Sequence, residues 1–192
     1  MLGQIVRQQL KPKILGDAKL HSYNHHLCHA AAGFQTSTFD SATVVVIDAI
    51  GEFETITIWG AEYDNKGRAK YKKLWQQNYP HSIGLFYTGI TQRVGLRPLD
   101  EEYILMGMAA YGQNNLSNRM RFDLLDDEWE IRFKENLHTG LSVKYLSDYS
   151  EFDIAAGAQE LAEDLILNVM ARAKKLGWSR NLVYMEIGRA HV

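Results

Sequence analysis

The residues with the clearest capacity for chemistry are His25, His26 and His29, three imidazoles within five positions, and Asp48, which closes an apolar run. Residues four apart share a helix face, because 3.6 residues complete a turn. Two imidazoles on one face and a carboxylate from a nearby strand end form the ligand set of a divalent-metal site with open positions. A site of that kind can hold a phosphate-bearing substrate. Spacing leaves the pair unresolved: His25 with His29 and His26 with His29 both lie on roughly one face. No Glu follows the first histidine, so this is not the His-Glu-x-x-His helix of metalloproteases. A helix start with histidines bonded to neighbouring loops would produce the same pattern without any metal. Cys28 is expected to be small buried filler, as free cysteines commonly are.

Three further segments carry weaker signals. Asp48 follows Val44-Val45-Val46-Ile47 and must leave the core at a strand end, where sheet proteins bind ligands. Gly51 allows backbone to approach a phosphate closely, and Thr55 offers a hydroxyl. In Ser82-Ile83-Gly84-Leu85-Phe86-Tyr87, a glycine in the first helical turn exposes amides that can receive an anion. Met106-Gly107-Met108-Ala109-Ala110-Tyr111-Gly112 predicts a tightly packed helix with methionines in the core. His81 and His138 are lone histidines to which no role is assigned.

The elements that must position these residues follow from periodicity. Residues 2–10 read as a short helix stopped near Pro12, and residues 19–23 as a short strand. The alanine-rich stretch from His25 to about Gln35 favours helix. Thr43 to Ile47 is a continuous β-branched run, which predicts a central strand covered on both faces. Glu54–Glu62 and Ala69–Gln77 flank the turn Tyr63 to Gly67, a hairpin that makes the sheet mixed. Ser82 opens a helix stopped by Gly95, and Asp100 is expected to cap another over Glu101–Ala110. A small hairpin is expected around Asp126-Asp127, within a region from about Asn114 to Ser150 that reads as a mobile insertion. Ser150-Glu151-Phe152-Asp153 is a capping box, and the apolar stripe from Ile154 to Leu176 behind it ends at Gly177. Asn181 to Met185 reads as the start of a buried strand, and residues 186–192, without periodicity, as a non-native tail.

Bulk composition narrows the classes. At 46% hydrophobic and 23% charged residues, the 192-residue chain is globular rather than disordered. A net charge of −2 without a basic block gives no footprint for nucleic acid. No apolar stretch reaches the ~18 residues of a membrane span. The single cysteine excludes an internal disulfide framework and fits a reducing cytoplasm.

In order along the chain stand His-His-Leu-x-His-Ala-Ala from His25, Asp-x-x-Gly-Glu-x-x-Thr from Asp48, Ser-Ile-Gly-x-Phe-Tyr-x-x-x-Thr from Ser82 and Glu-Tyr-x-x-Met-Gly-x-Ala-x-Tyr-Gly from Glu102. This ordered set, from about Leu20 to Met185, resembles the NodU-type O-carbamoyltransferase family. The resemblance is to the N-terminal part of a domain shared with the threonylcarbamoyl-adenosine tRNA-modification proteins. It implies an α/β fold of the actin-like, sugar-kinase-like (ASKHA) type, with a mixed sheet and flanking helices. Residues 1–185 would be a partial carbamoyltransferase domain. It implies a reaction in which carbamoyl phosphate and ATP form a carbamoyl-adenylate, whose carbamoyl group passes to a hydroxyl of a sugar or natural product. It also implies a divalent metal, often Fe2+, on His25, His29 and Asp48, and so selects His25 over His26. Gly51, Glu52, Thr55, Ser82, Gly84, Tyr87 and Gly107 would line the substrate and nucleotide site, and no catalytic residue is assigned. Two positions depart from the family pattern: Ile104 stands where a Lys is usual, and Ala110 replaces a common Pro.

The family's opening loop and its later Gly-Gly-x-x-x-Asn loop have no counterpart here, so the chain reads as an inactive fragment. A homodimer through surface exposed by truncation is a further expectation. A non-catalytic nucleotide-binding module, favoured by Ile104, and a tRNA threonylcarbamoyl-transferase relative, disfavoured by the charge, are the alternatives.

Overall fold

The computed structural model describes residues 21–113 and 116–186. The helix expected over residues 2–10 lies outside them, as does the start of the strand expected over 19–23. The described part of that strand has no regular structure.

A four-stranded mixed sheet organises the chain. Its strands are β1 (Ser41–Gly51), β2 (Glu54–Tyr63), β3 (Ala69–Asn78) and, later, β6 (Leu182–Glu186), in the order β3-β2-β1-β6. The hairpin pairs β1–β2 and β2–β3 are antiparallel, whereas β1 and β6 run parallel. The β-branched run therefore forms the central strand, as its continuous apolarity predicts. Its side chains alternate: Val44 and Val46 join one core cluster with Ala30, Phe34, Trp59 and Ala61, while Val45 and Ile47 join a larger one with Ile56 and Ile58.

Helix α1 (His25–Thr36) covers the first face. Asn24 caps it, its side chain accepting from the Leu27 amide at 2.9 Å, and His26, Ala30 and Phe34 form its fully buried stripe. That stripe puts Cys28 on the opposite side, so the cysteine is exposed rather than core filler.

Helices α2 (Ile83–Arg93) and α5 (Glu151–Leu176) cover the second face, and α3 (Glu102–Ala109) packs against them. The 26 residues of α5 span about 39 Å. Ser150 accepts from the Asp153 amide at its start, and Gly177 ends it with φ of 66°. Asp100 does not cap α3. Its carboxylate is held by the Arg97 guanidinium at 2.6 Å, and Glu101 stands at the N-cap without a capping bond, its carboxylate accepting instead from the Arg97 amide at 2.7 Å.

The region read as a mobile insertion is part of the core. It holds α4 (Ser117–Leu124), the two-stranded pair β4 (Leu125–Asp127) and β5 (Arg132–Phe133), and a short 3-10 turn at Leu137–Thr139. Leu116, Met120 and Leu124, each four apart, enter the larger cluster with Ile131, Phe133 and Leu137, all 7% exposed or less. The strand at β6 forms as expected but is not buried: Leu182 and Tyr184 are 45% and 38% exposed, because β6 lies at the sheet edge. The packing expected of α3 is met in part. Leu105 is buried, Met108 and Ala109 pack against the core, and a Cβ on Gly112 would lie 2.5 Å from Ala156 Cβ of α5, whereas Met106 is exposed and a Cβ on Gly107 would meet nothing within 4 Å.

Candidate metal centre

The antiparallel ladder between β1 and β2 loses register between Ile47 and Gly51, and the chain turns through Glu52 at a positive φ of 63°. Such an irregularity re-aims side chains at a strand end. Asp48 leaves the sheet there, and its Oδ1 accepts from the Ala49 amide at 2.6 Å, which fixes the carboxylate's rotation.

The start of α2 braces this bend. The Ser82 hydroxyl donates to the Ala49 carbonyl at 2.8 Å and accepts from the Leu85 amide at 3.1 Å. Gly84 lies so near that a Cβ would come within 2.8 Å of the Ala49 Cα. Both residues of the expected anion-binding turn are thus engaged with protein. Thr55 is similarly occupied, donating to the His81 carbonyl at 2.6 Å.

Above the bend, α1 delivers two imidazoles. His25 Nε2 lies 2.9 Å from Asp48 Oδ2 and 3.0 Å from His29 Nε2. One ligand atom from each of the three residues lies within 4.8 Å of the others, and each residue is half-buried. Among the described residues this is the one such group of His, Cys, Asp and Glu. Donor atoms around a small divalent cation, bonded at about 2.0–2.2 Å, stand roughly 3 Å apart. The residues present therefore fit a cation in donor type and in spacing. Burial and the neighbouring His25 together push the His29 imidazole below its usual range, which favours the neutral form a metal requires.

His26 points elsewhere. Its ring is fully buried, its Nδ1 lies 2.8 Å from the Thr57 hydroxyl, and burial holds it below the usual imidazole range. Gly51 serves the histidines rather than an open approach: a Cβ there would lie 2.5 Å from the His26 ring and 2.6 Å from His25 Cδ2. Glu54 ties the hairpin to the cap of α1, accepting from Lys73 Nζ and, at 3.2 Å, from Asn24 Nδ2.

That tie makes stability depend on pH. Burial alone would raise the Glu54 carboxyl, but the bonds from Lys73 and Asn24 outweigh it and hold the group below its usual range. A depressed carboxyl stabilises the fold above the unfolded-state value and loses that contribution as pH falls through the folded value. Glu54→Gln should destabilise by about 1 kcal/mol near neutrality. The gap from wild type should shrink in acid, as read by urea denaturation at both conditions. A gap that persists unchanged in acid would show that the charge is not the cause.

The remaining expected site residues stand apart. Tyr87 donates to Gln159 Oε1 at 2.7 Å, and burial drives its phenol far above the usual range. Gly107 sits on the exposed face of α3. Sequence reasoning missed the Ser82–Ala49 brace and the buried partners Thr57 and Trp59. The latter had a signal, since alternate residues of β2 share a face. A groove of about 710 Å³ lies at the other end of β1, against Thr43, Trp178 and Leu182.

The chain is thus an α/β protein with a mixed four-stranded sheet and a His-His-Asp cluster at one strand end. The chain belongs to the family described as carbamoyltransferase N-terminus, which matches residues 2–188. It is 30% identical over 208 residues to uncharacterized protein sll1178 of Synechocystis sp., covering 97% of this chain and 30% of that protein. It is 28% identical over 193 residues to uncharacterized protein MJ1058 of Methanocaldococcus jannaschii, covering 88% of this chain and 31% of that protein. The chain thus spans about three-tenths of the length of these relatives. No helix among the described residues is long and apolar enough to cross a membrane.

Proposed function

We propose that this chain supplies the front part of an actin-like (ASKHA) O-carbamoyltransferase of NodU type. In this reading His25, His29 and Asp48 hold a divalent cation, Fe2+ by family resemblance. The supporting observation is that these three residues, the outer two 23 positions apart in sequence, bring ligand atoms within 4.8 Å of one another in a chain of the carbamoyltransferase family. A bound cation would neutralise phosphate charge and polarise the group in transfer. The chain's own part is to position. Ala49 fixes the Asp48 carboxylate, Ser82 and Gly84 fix the bend that carries it, and α1 holds the two imidazoles in register. The substrates of the whole enzyme are carbamoyl phosphate and ATP, and the acceptor is a hydroxyl of a sugar or natural product.

The full-length enzyme should convert carbamoyl phosphate and ATP into a carbamoylated acceptor, detected by mass spectrometry with a panel of hydroxyl compounds. Nucleotide binding without any ATP turnover would instead favour a non-catalytic module, the reading that Ile104 in place of the usual Lys supports.

A further inference from the structure

We infer that His26 presents a fixed Nε2–H that hydrogen-bonds an oxygen of the anion held at the His25–His29–Asp48 centre. The inference rests on the metal reading above and assigns one more side chain to the same site.

The proton on the His26 ring is placed by its neighbours. An indole N–H can only donate. Trp59 Nε1 donates to Thr57 Oγ1 at 2.7 Å. The Thr57 hydroxyl carries one hydrogen, and the acceptor within its reach is His26 Nδ1 at 2.8 Å. The chain then runs from Trp59 through Thr57 to His26, with Nδ1 accepting and Nε2 protonated. A proton on Nδ1 would leave the threonine hydrogen without that acceptor.

His26 Nε2 is buried and has no hydrogen-bond partner among the described residues. Buried donors are rarely left so, and an orphan of this kind calls for an occupant. Its position indicates which one. The Cδ2–Nε2 edge of His26 and the Cδ2 of His25 both lie within 2.6 Å of the point where a Cβ on residue 51 would stand. His25 carries its Nε2, the atom facing Asp48 and His29, on that same ring edge. The unpartnered donor therefore lies beside the candidate centre, and the absence of a side chain on Gly51 keeps the two ring edges adjacent. A donor with no lone pair needs an acceptor lone pair opposite it, which a phosphate oxygen or a carbonyl supplies. His25 and His29 cannot supply this contact, since their Nε2 atoms face the centre itself.

The test uses the intact protein, zinc(II) as a diamagnetic metal and inorganic phosphate as the probe anion. In wild-type protein labelled with 15N-histidine, His26 should be in the Nε2–H tautomer, and its Nε2–H resonance should move when phosphate is added to the zinc-loaded protein. His26→Phe keeps an aromatic ring in the core. It should keep zinc affinity and weaken phosphate binding by about tenfold, the loss expected for one bond to a charged acceptor. His26→Gln, which restores a donor near Nε2, should recover phosphate binding to within about threefold. An Nδ1–H tautomer, or an Nε2–H resonance unmoved by phosphate, overturns the inference, and both are read without any variant. Zinc affinity unaffected by His29→Ala overturns the metal reading instead, so the two failures are told apart.

Discussion

His29→Ala should lower divalent-metal affinity by at least about a hundredfold, since even residues that merely orient a ligand cost ten- to a hundredfold. The side chain offers one of the three candidate donor atoms, and its Nε2 lies 3.0 Å from that of His25. The fold should survive. His29 is half-buried and lies beside the stripe of His26, Ala30 and Phe34 that packs on the sheet. Alanine is also the stronger helix former, which offsets the lost ring contacts. Calorimetric titration with Fe2+ or Zn2+ reads the first effect, and a thermal melt reads the second. Metal content unchanged in a folded variant would remove His29 from the ligand set.

Phe86→Ala should destabilise the protein by about 3–5 kcal/mol, a large share of the roughly 5–15 kcal/mol that holds a domain together. Phe86 is fully buried on α2 and stacks on Phe133 of β5, with centroids 5.8 Å apart and planes at 18°. It joins the sheet-facing helix to residues 116–150, so its loss leaves a cavity between them. A loss of the candidate centre should follow, because α2 begins with the Ser82 and Gly84 contacts that brace the Asp48 bend. Urea denaturation gives the first quantity and zinc titration the second. A cost below about 1 kcal/mol would mean that the region collapses around the vacancy and contributes little to the core.

Local elements were legible because their causes are local. The hairpin at Tyr63–Gly67, the Ser82 cap, the capping box at Ser150 and the glycine stop at Gly177 each depend on residues a few positions apart. The 116–150 region was not legible as core, although Leu116, Met120 and Leu124 recur at helical spacing. Its two-residue strand and single 3-10 turn are too short to show a period, and their burial depends on α2 and α5 arriving from elsewhere. Asp100 as a cap failed for a similar reason, since a nearby guanidinium competes for the same carboxylate.

The candidate site divides along the same line. Composition and spacing alone established an α/β chain, a helix bearing three imidazoles and a carboxylate at the end of a buried strand. Which imidazoles meet that carboxylate was decided by tertiary packing. Spacing sets angles between residues of one helix, about 100° per position, but not which side of the helix faces the sheet. Burial of Ala30 and Phe34 against Val44 and Val46 sets that rotation, turning His26 inward to Thr57 and leaving His25 and His29 beside Asp48.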